Sequence, residues 1–579
     1  MYGRAFYWLP LLLTAALIPN PALPSDPIIL DGLFDDWNEV TAAQLDPAGD
    51  GAAESEDFSE IRITNDENYL FIYLSFHGSE ELLQAWNTMR LFIDADGDPG
   101  TGRSFHGIGA ELEWCFGCRS GTRHNENGSR GLRHANISIL SAPTVTSKIF
   151  EFCIARDAIA LDSDDRRISI VISSSSGEGD LLPDQPGGFP YTIDAREVAP
   201  ARPINIDRPG GDSIRLATYN VRNPGILNLE RAPHFQRIFQ AIDADIWLLQ
   251  EQSSTGARLT DRLSSWFPGS NWHVTGNYRW NFTASKYPII YQGPLTSARR
   301  TIAALIDTSD IIGTPLLTIN SHLPCCTDDD GRQQQADELM EAIRILKTGD
   351  GAFELPEGTP IIHAGDFNLV GYSSQLRTLT EGDIQDEQTY GPDFEPDWDG
   401  SPLADLPSRH THNRMAYTWR SDSSTFWPEK LDYILYTRSA IRPVHSFTLE
   451  TRSMPADALA DGGLRAADTA SASDHLPRVV DLAAVESSPL FLRGDANSDG
   501  SIDISDGINI LGYLFLGEDP PTCLDSSDSD DSGLVDLSDG ILIFNFLFLG
   551  GNAPNAAAPS CQRDKTDDGL DCGASPACQ

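Results

Sequence analysis

The stretch Pro360-Ile-Ile-His-Ala-Gly-Asp-Phe-Asn368 decides how the middle of this chain is read. An apolar, β-branched run breaks off in Gly-Asp-Phe-Asn, so a buried strand hands a carboxylate and an amide to the loop that follows. The device recurs on both sides. Ile214-Arg-Leu-Ala-Thr-Tyr-Asn220 ends in an amide, Asp245-Ile-Trp-Leu-Leu-Gln-Glu251 in a carboxylate, and Leu316-Leu-Thr-Ile-Asn-Ser-His322 in an imidazole. Helical spacing lies between them, at Phe235 to Ile242 and Gly331 to Lys347. Later, Leu431-Asp-Tyr-Ile-Leu-Tyr436 and Ser473-Asp-His475 bring another acid and another histidine ahead of the last strand. The alternation predicts an α/β body in which each strand delivers one polar residue at its carboxyl end. Singly, a strand-end Asn is usually a cap and a lone His usually structural. The ordered set is what points to chemistry.

Six blocks make up that set: Thr218-Tyr-Asn220, Leu249-Gln-Glu251, Ser321-His-Leu323, Gly365-Asp-Phe-Asn368, Leu431-Asp-Tyr-Ile434 and Ser473-Asp-His475. Their identity and order resemble the endonuclease/exonuclease/phosphatase superfamily, which includes pancreatic-type deoxyribonucleases, bacterial sphingomyelinases and inositol-polyphosphate 5-phosphatases. The resemblance implies a four-layered α/β sandwich, two packed sheets flanked by helices, over residues 213–483. It also implies a divalent-metal-dependent hydrolase of phosphodiester or phosphomonoester bonds, with nucleic acid, phospholipid or inositol phosphate as substrate. Such hydrolysis needs a cation to neutralise the phosphate, a positioned water and a proton for the leaving oxygen. On this resemblance Glu251 holds Mg²⁺ or Mn²⁺, with Asn220 and Asp474 nearby. Asp366 orients or deprotonates the water, and Asn368 holds a phosphoryl oxygen. His475 is the second acid–base group, braced by Asp432, and His322 donates to the phosphate or the leaving group. Hard oxygen ligands without thiolates suit Mg²⁺, Mn²⁺ or Ca²⁺ better than zinc. Histidine at 322, where the abasic-site branch usually carries tyrosine, leans away from that branch.

Charge narrows the partners. The chain has 579 residues and a formal charge of −44 at pH 7, so its overall field opposes long DNA. A local groove would need Arg299, Arg300, Arg332 and Arg420, while Arg409-His-Thr-His412 either touches substrate or is a plain loop. Residues 1–25 read as a signal peptide, with Arg4 ahead of the apolar run Phe6 to Ile18, and no later segment reaches membrane-spanning length. A secreted protein is expected. Nine cysteines fit an oxidising compartment, and their odd number leaves at least one unpaired within the chain. Cys115-x2-Cys118 reads as a disulfide rather than a zinc site, for want of a second ligand pair. Cys325-Cys326 reads as a vicinal disulfide or two bridges to elsewhere.

The flanks read as accessory units. Over residues 27–200, short runs bounded by turn residues predict a β-sandwich, with strands around Ile61 to Thr64, Leu70 to Phe76, Met89 to Ile93, Ile137 to Leu140 and Ile168 to Ile172. Its opening, Asp31-Gly-Leu-Phe-Asp-Asp-Trp37, loosely resembles family-9-like carbohydrate-binding or DOMON-type modules, which implies a polysaccharide ligand. Within it, Asp94, Asp96 and Asp98 alternate around a glycine and are candidates for a structural Ca²⁺ site. Residues 201–212 have linker composition. Over 491–579 lies an internal repeat. Asp495, Asn497, Asp499, Ser501, Asp503 and Asp506 occupy calcium-loop positions, and Asp528, Asp530, Ser532, Leu534, Asp536 and Asp539 repeat them 33 residues on, with Gly500 and Gly533 at the sharp turn. Apolar helical runs follow, at Ile508 to Leu516 and Ile541 to Leu549. The tandem arrangement, with Asp closing each loop, resembles dockerin type I repeats and implies Ca²⁺ and a cohesin-type partner. The competing reading is a non-catalytic, carbohydrate-binding or dockerin-anchored scaffold. The presence of every acid, amide and histidine that the chemistry needs argues for the enzyme.

Overall fold

Alternation along Ile214–Asn220 sorts its side chains into two layers. Ile214 and Leu216 face a core shared with Ile246, Leu248, Ile362, Ala364, Ile434 and Val480. Ala217 and Tyr219 face the other way, under the helices Ala232–Ile242 and Gly256–Trp266. This computed structural model describes residues 28–51, 56–126, 128–159, 166–175, 179–193, 201–276, 278–353, 355–485 and 490–554, with 561, 564, 570, 572 and 578 in the tail. The expected signal peptide lies outside the described residues.

Two six-stranded sheets enclose that inner core. One runs His273–Val274, Phe282–Ser285, Ile246–Gln250, Ile214–Asn220, Arg478–Ala484, Ile441–Thr448; the other runs Ile289–Pro294, Thr301–Ile306, Leu316–His322, Ile361–Asp366, Asp432–Tyr436, Ala404–Asp405. The outer face of the second sheet lies under the helices Asp329–Lys347 and Ser373–Glu381. Helices outside and sheets back to back give the four layers expected from the sequence.

Register brings the polar strand ends to one rim. Ile214–Asn220 is parallel to Ile246–Gln250, and Leu316–His322 is parallel to Ile361–Asp366, with His322 opposite Asp366. That second pairing depends on Gly365. Its φ is +145°, and a Cβ there would sit 1.9 Å from the Ser321 carbonyl oxygen. The rule of one polar residue per carboxyl end holds for Asn220, Glu251, His322 and Asp366 and fails for the last two. Asp432 is the first residue of its strand, antiparallel to Ile361–Asp366 with Asp366 as its partner. His475 precedes Arg478–Ala484, which runs antiparallel to Ile214–Asn220. Opposite strand direction puts amino-terminal ends on the same rim.

Toward the N-terminus a five-stranded and a seven-stranded sheet face each other across an apolar core, a β-sandwich. The strand expected at Ile137 to Leu140 is absent there. His134–Ile137 forms a helical turn that stops at Ser138 (φ 49°), and a strand begins only at Leu140. Trp427, from the α/β body, is buried in the sandwich core, its ring 6.0 Å from that of Trp114 and its Nε1 donating to Ser141 Oγ at 2.7 Å. Beside it, Gln84 Nε2 donates to Glu429 Oε1 at 2.6 Å. Residues 201–212 lie against the α/β body. Ile204 and Ile206 pack on its outer core, and Arg208 pairs with Asp245 at 2.8 Å.

Cys115–Cys118, Cys523–Cys572 and Cys561–Cys578 are disulfides. Cys325 and Cys326 are exposed free thiols and Cys153 a buried one, so neither bridge expected of the Cys325-Cys326 pair forms. The chain divides into two compact units, Met1–Ala484 and Val485–Gln579. In the second, helices Ile504–Leu511 and Leu537–Leu549 pack together, each starting before the apolar run that marks it in the sequence. Asp503 and Asp536 cap them, with Asp506 and Asp539 closing capping boxes. No helix among the described residues is long and apolar enough to cross a membrane.

Candidate active site

The rim gathers three buried groups. The oxygens and ring nitrogens of Asp366, Asp432 and His475 come within 4.8 Å of one another. His475 Nδ1 bonds Asp432 Oδ2 at 2.8 Å, which leaves Nε2 facing Asp366 Oδ2 at 3.7 Å. Across the sheet, His322 Nε2 stands 3.6 Å from the same Asp366 oxygen and 4.0 Å from Glu251 Oε1. Two imidazoles therefore converge on one carboxylate. Asp432 is itself fixed by its own N–H donating to Thr418 Oγ1 at 2.9 Å.

Burial disfavours the His475 imidazolium, yet the Asp432 and Asp366 carboxylates outweigh it and raise its pKa to about 10. Burial also pushes Asp366 up, against the pull of His475 and His322. Glu251 behaves differently. Burial works against its charge, but the Asn223 N–H at 2.9 Å and the Asn220 amide at 3.2 Å, with both histidines, hold its pKa below the usual carboxylate range. Glu251 is an ionised, partly open carboxylate of the kind a hard divalent cation takes, and its neighbours in this structure are the Asn220 and Asn223 nitrogens and His322. Asn220 joins it, its Nδ2 also donating to Asp366 Oδ2 at 2.8 Å.

Asp474 faces Arg222 Nε at 3.9 Å, and Ser473 Oγ, its neighbour, donates to the Asn220 carbonyl at 2.8 Å. Asn368 takes a left-handed conformation (φ 50°) and donates through Nδ2 to the Leu323 carbonyl at 3.1 Å. Arg332 is fully buried, bonded to Gln375 and the Pro324 and Cys326 carbonyls, so it holds a loop and lines no groove. His410 is buried against the Tyr417 carbonyl at 2.7 Å, which makes this part of the Arg409-His-Thr-His412 stretch structural. Arg222 was missed in the sequence. Its largely exposed guanidinium stands beside the site two residues past Asn220, a basic residue that the short amide motif does not predict.

Away from the rim, Asp94 and Asp96 come within 4.8 Å of Glu111. Asp98 lies outside that group, its Oδ1 accepting the Gly100 N–H at 2.9 Å, so Glu111 takes the place that the sequence pattern gave to Asp98. In the C-terminal unit the two loops repeat one geometry. Asp495 accepts the Asp499 and Gly500 N–H groups, Asp528 those of Ser532 and Gly533, and Asp506 and Asp539 each accept the N–H of a loop residue, Asn497 and Ser529. The carboxylates of Asp528, Asp530 and Asp539 meet within 4.8 Å.

Among solved structures, humanized D. rerio TDP2 is 17% identical, covering 47% of this chain and 99% of that one, with a TM-score of 0.32. ANGEL2, a 2′,3′-cyclic phosphatase, is 17% identical, with 47% and 95% covered and a TM-score of 0.31. Sphingomyelinase C from Streptomyces griseocarneus is 14% identical, with 46% and 99% covered and a TM-score of 0.28. No curated protein matches the chain. The sequence pattern of the Endonuclease/Exonuclease/phosphatase family matches residues 217–515, just over half of the chain and all six strand-end blocks. The chain thus belongs to the endonuclease/exonuclease/phosphatase family, hydrolases that act on phosphoester bonds.

Proposed function

We propose that this protein is a secreted phosphodiesterase that hydrolyses its substrate by metal-assisted attack of water. The observation that carries the reading is the convergence of His475 and His322 on Asp366, at 3.7 and 3.6 Å, beside the ionised Glu251. Glu251 and Asn220, with Asp474 next to them, are the residues to hold Mg²⁺ or Mn²⁺. Such an ion, when bound, withdraws charge from the phosphate and orients it. Asp366 accepts the proton of the attacking water as the new P–O bond forms. The His475 imidazolium gives a proton to the leaving oxygen as the old P–O bond breaks, and His322 hydrogen-bonds the phosphate or the leaving group. Asp432 keeps His475 charged and turned toward the substrate, Asn368 steadies a phosphoryl oxygen, and Arg222 adds a cation at the mouth.

Three disulfides support export to an oxidising compartment. The acidic chain, with Arg332 removed from the surface, favours a small or membrane-borne phosphodiester over long DNA. In this reading the sandwich (27–200) and the repeat unit (491–579) are accessories to the catalytic body (213–483), joined to the sandwich through 201–212. The sandwich is offered a polysaccharide, and the C-terminal loops Ca²⁺ and a cohesin-type partner, which a calcium-dependent pull-down tests. The function itself is tested by p-nitrophenol release from bis(p-nitrophenyl) phosphate, followed by DNA, RNA, sphingomyelin and inositol phosphates. Turnover with Mg²⁺ that EDTA abolishes is expected. Turnover that survives EDTA, or none on any phosphodiester, overturns the reading.

A further inference from the structure

At one edge of the N-terminal sandwich, Asp46, Asp50 and Asp180 bring carboxylate oxygens within 4.8 Å of one another. They come from both sheets. Asp46 follows the strand Ala43–Leu45, and Asp57 precedes Phe58–Asn65, both in the five-stranded sheet. Asp180 precedes Leu181–Leu182 of the seven-stranded sheet, and Asp184 follows it. The Phe58 N–H donates to Asp180 Oδ2 across the gap at 2.7 Å, and the Gly49 N–H reaches both oxygens of Asp57 at 3.1 Å.

Asp46 is the informative member. It is 7% exposed, yet its Oδ2 is buried without a hydrogen-bond donor among the described residues. Burial, then the charges of Asp180, Asp184, Asp50 and Asp57, drive its pKa to about 8. None of the five pairs with a lysine or arginine among the described residues. Two imidazoles stand nearby: His77 bonds the Asp46 backbone carbonyl at 3.1 Å and not its carboxylate, and His106 acts on Asp184. A buried, unanswered carboxylate among four others is among the costliest arrangements a fold can keep unless a cation sits in it. The Asp94, Asp96 and Glu111 group differs here, since Asp94 is answered by the Gly97 and Gly109 N–H groups.

We infer that this edge of the sandwich binds a divalent cation, Ca²⁺ by its chemistry, which ties the two sheets together through Asp46, Asp50 and Asp180. Two oxygens on one Ca²⁺ lie at most about 5 Å apart, so this cluster shares an ion without moving the backbone. The three converging donors are all carboxylates, with no sulfur or imidazole among them, a set that matches Ca²⁺ better than zinc; His106 lies near Asp184, outside that group of three. The contribution of Asp57 and Asp184 is charge around the ion. The site is independent of the phosphoesterase reading and of the C-terminal loops.

The test is equilibrium dialysis of the full chain against calcium chloride after EDTA treatment, comparing wild type with Asp46→Asn and Asp50→Asn. Each folded variant is expected to bind one Ca²⁺ fewer than wild type, or one of them about tenfold more weakly. The calcium-induced rise in Tm should shrink in parallel. In EDTA, Asp46→Asn should melt no lower than wild type, since it removes repulsion, and this confirms that it folds. Asp50→Asn, at an exposed position, serves if Asp46→Asn does not fold. A folded variant that binds as much calcium as wild type, as tightly, overturns the inference.

Discussion

In the strand-end site Asp366, Asp432 and Glu251 each have a nitrogen donor in reach, although Asp432 Oδ1, like one oxygen of Asp46, is buried without a partner. Asp432 holds His475, Asp366 faces two imidazoles and an amide, and Glu251 takes two N–H groups. At the sandwich edge Asp46, Asp50, Asp57, Asp180 and Asp184 face one another, and one buried oxygen has nothing to bond. Both clusters join two sheets, and both are acidic. The difference is the interleaved imidazole. Imidazoles beside a carboxylate equip the proposed catalytic site to move a proton as well as to hold an ion, whereas a cluster of carboxylates is suited to an ion alone.

The largest expected effect separates the two. Asp366→Asn should lower kcat on a phosphodiester by roughly 10²–10⁴-fold, the usual weight of a general base. Asp46→Asn, measured in the same assay, should leave turnover unchanged. Equal losses would erase the distinction.

The next effect concerns what joins the regions. Trp427→Ala removes an indole buried in the sandwich core and should cost about 3–5 kcal/mol in denaturant unfolding of the first unit. Turnover should fall as well, because the segment reaches the site through Arg420, whose N–H bonds the Asp474 carbonyl, and Trp419, which bridges to His475. A cost below about 1 kcal/mol would show that the Trp427 indole contributes little to holding the sandwich and the α/β body together.

A smaller effect is read from pH. Burial raises the Glu429 pKa from 4.5 to about 8, with Arg119 pulling weakly the other way. The folded state keeps a proton that the unfolded chain gives up, so this group's contribution is fullest below about pH 4.5 and is lost as pH rises toward 8. Glu429→Gln should therefore gain in Tm over wild type as pH goes from 5 to 8. A constant difference would show that Glu429 is ionised throughout.

Much of the catalytic body was legible because its information is local. Ile361–Asp366 is a strand by its own residues, and Gly365 and Asp366 mark its end. What was not legible depends on partners far along the chain. Strand direction decides that Asp432 arrives at the rim by its amino end, and no short motif encodes that direction. Arg332 looked like a surface cation until Gln375 and two carbonyls, one six and one eight residues away in the chain, enclosed it. Ile137 to Leu140 alternated like a strand, but a left-handed Ser138 lets the same residues close a helical turn. The Asp46 cluster left no motif at all, since Asp46 and Asp180 lie 134 positions apart in the sequence.

The most direct test of the account is the rate of p-nitrophenol release from bis(p-nitrophenyl) phosphate by wild type and His475→Ala, both saturated with Mg²⁺. With circular dichroism and Tm confirming the fold, the variant should be slower by roughly 10²–10⁴-fold. A folded His475→Ala protein that turns over within a few-fold of wild type would contradict the account.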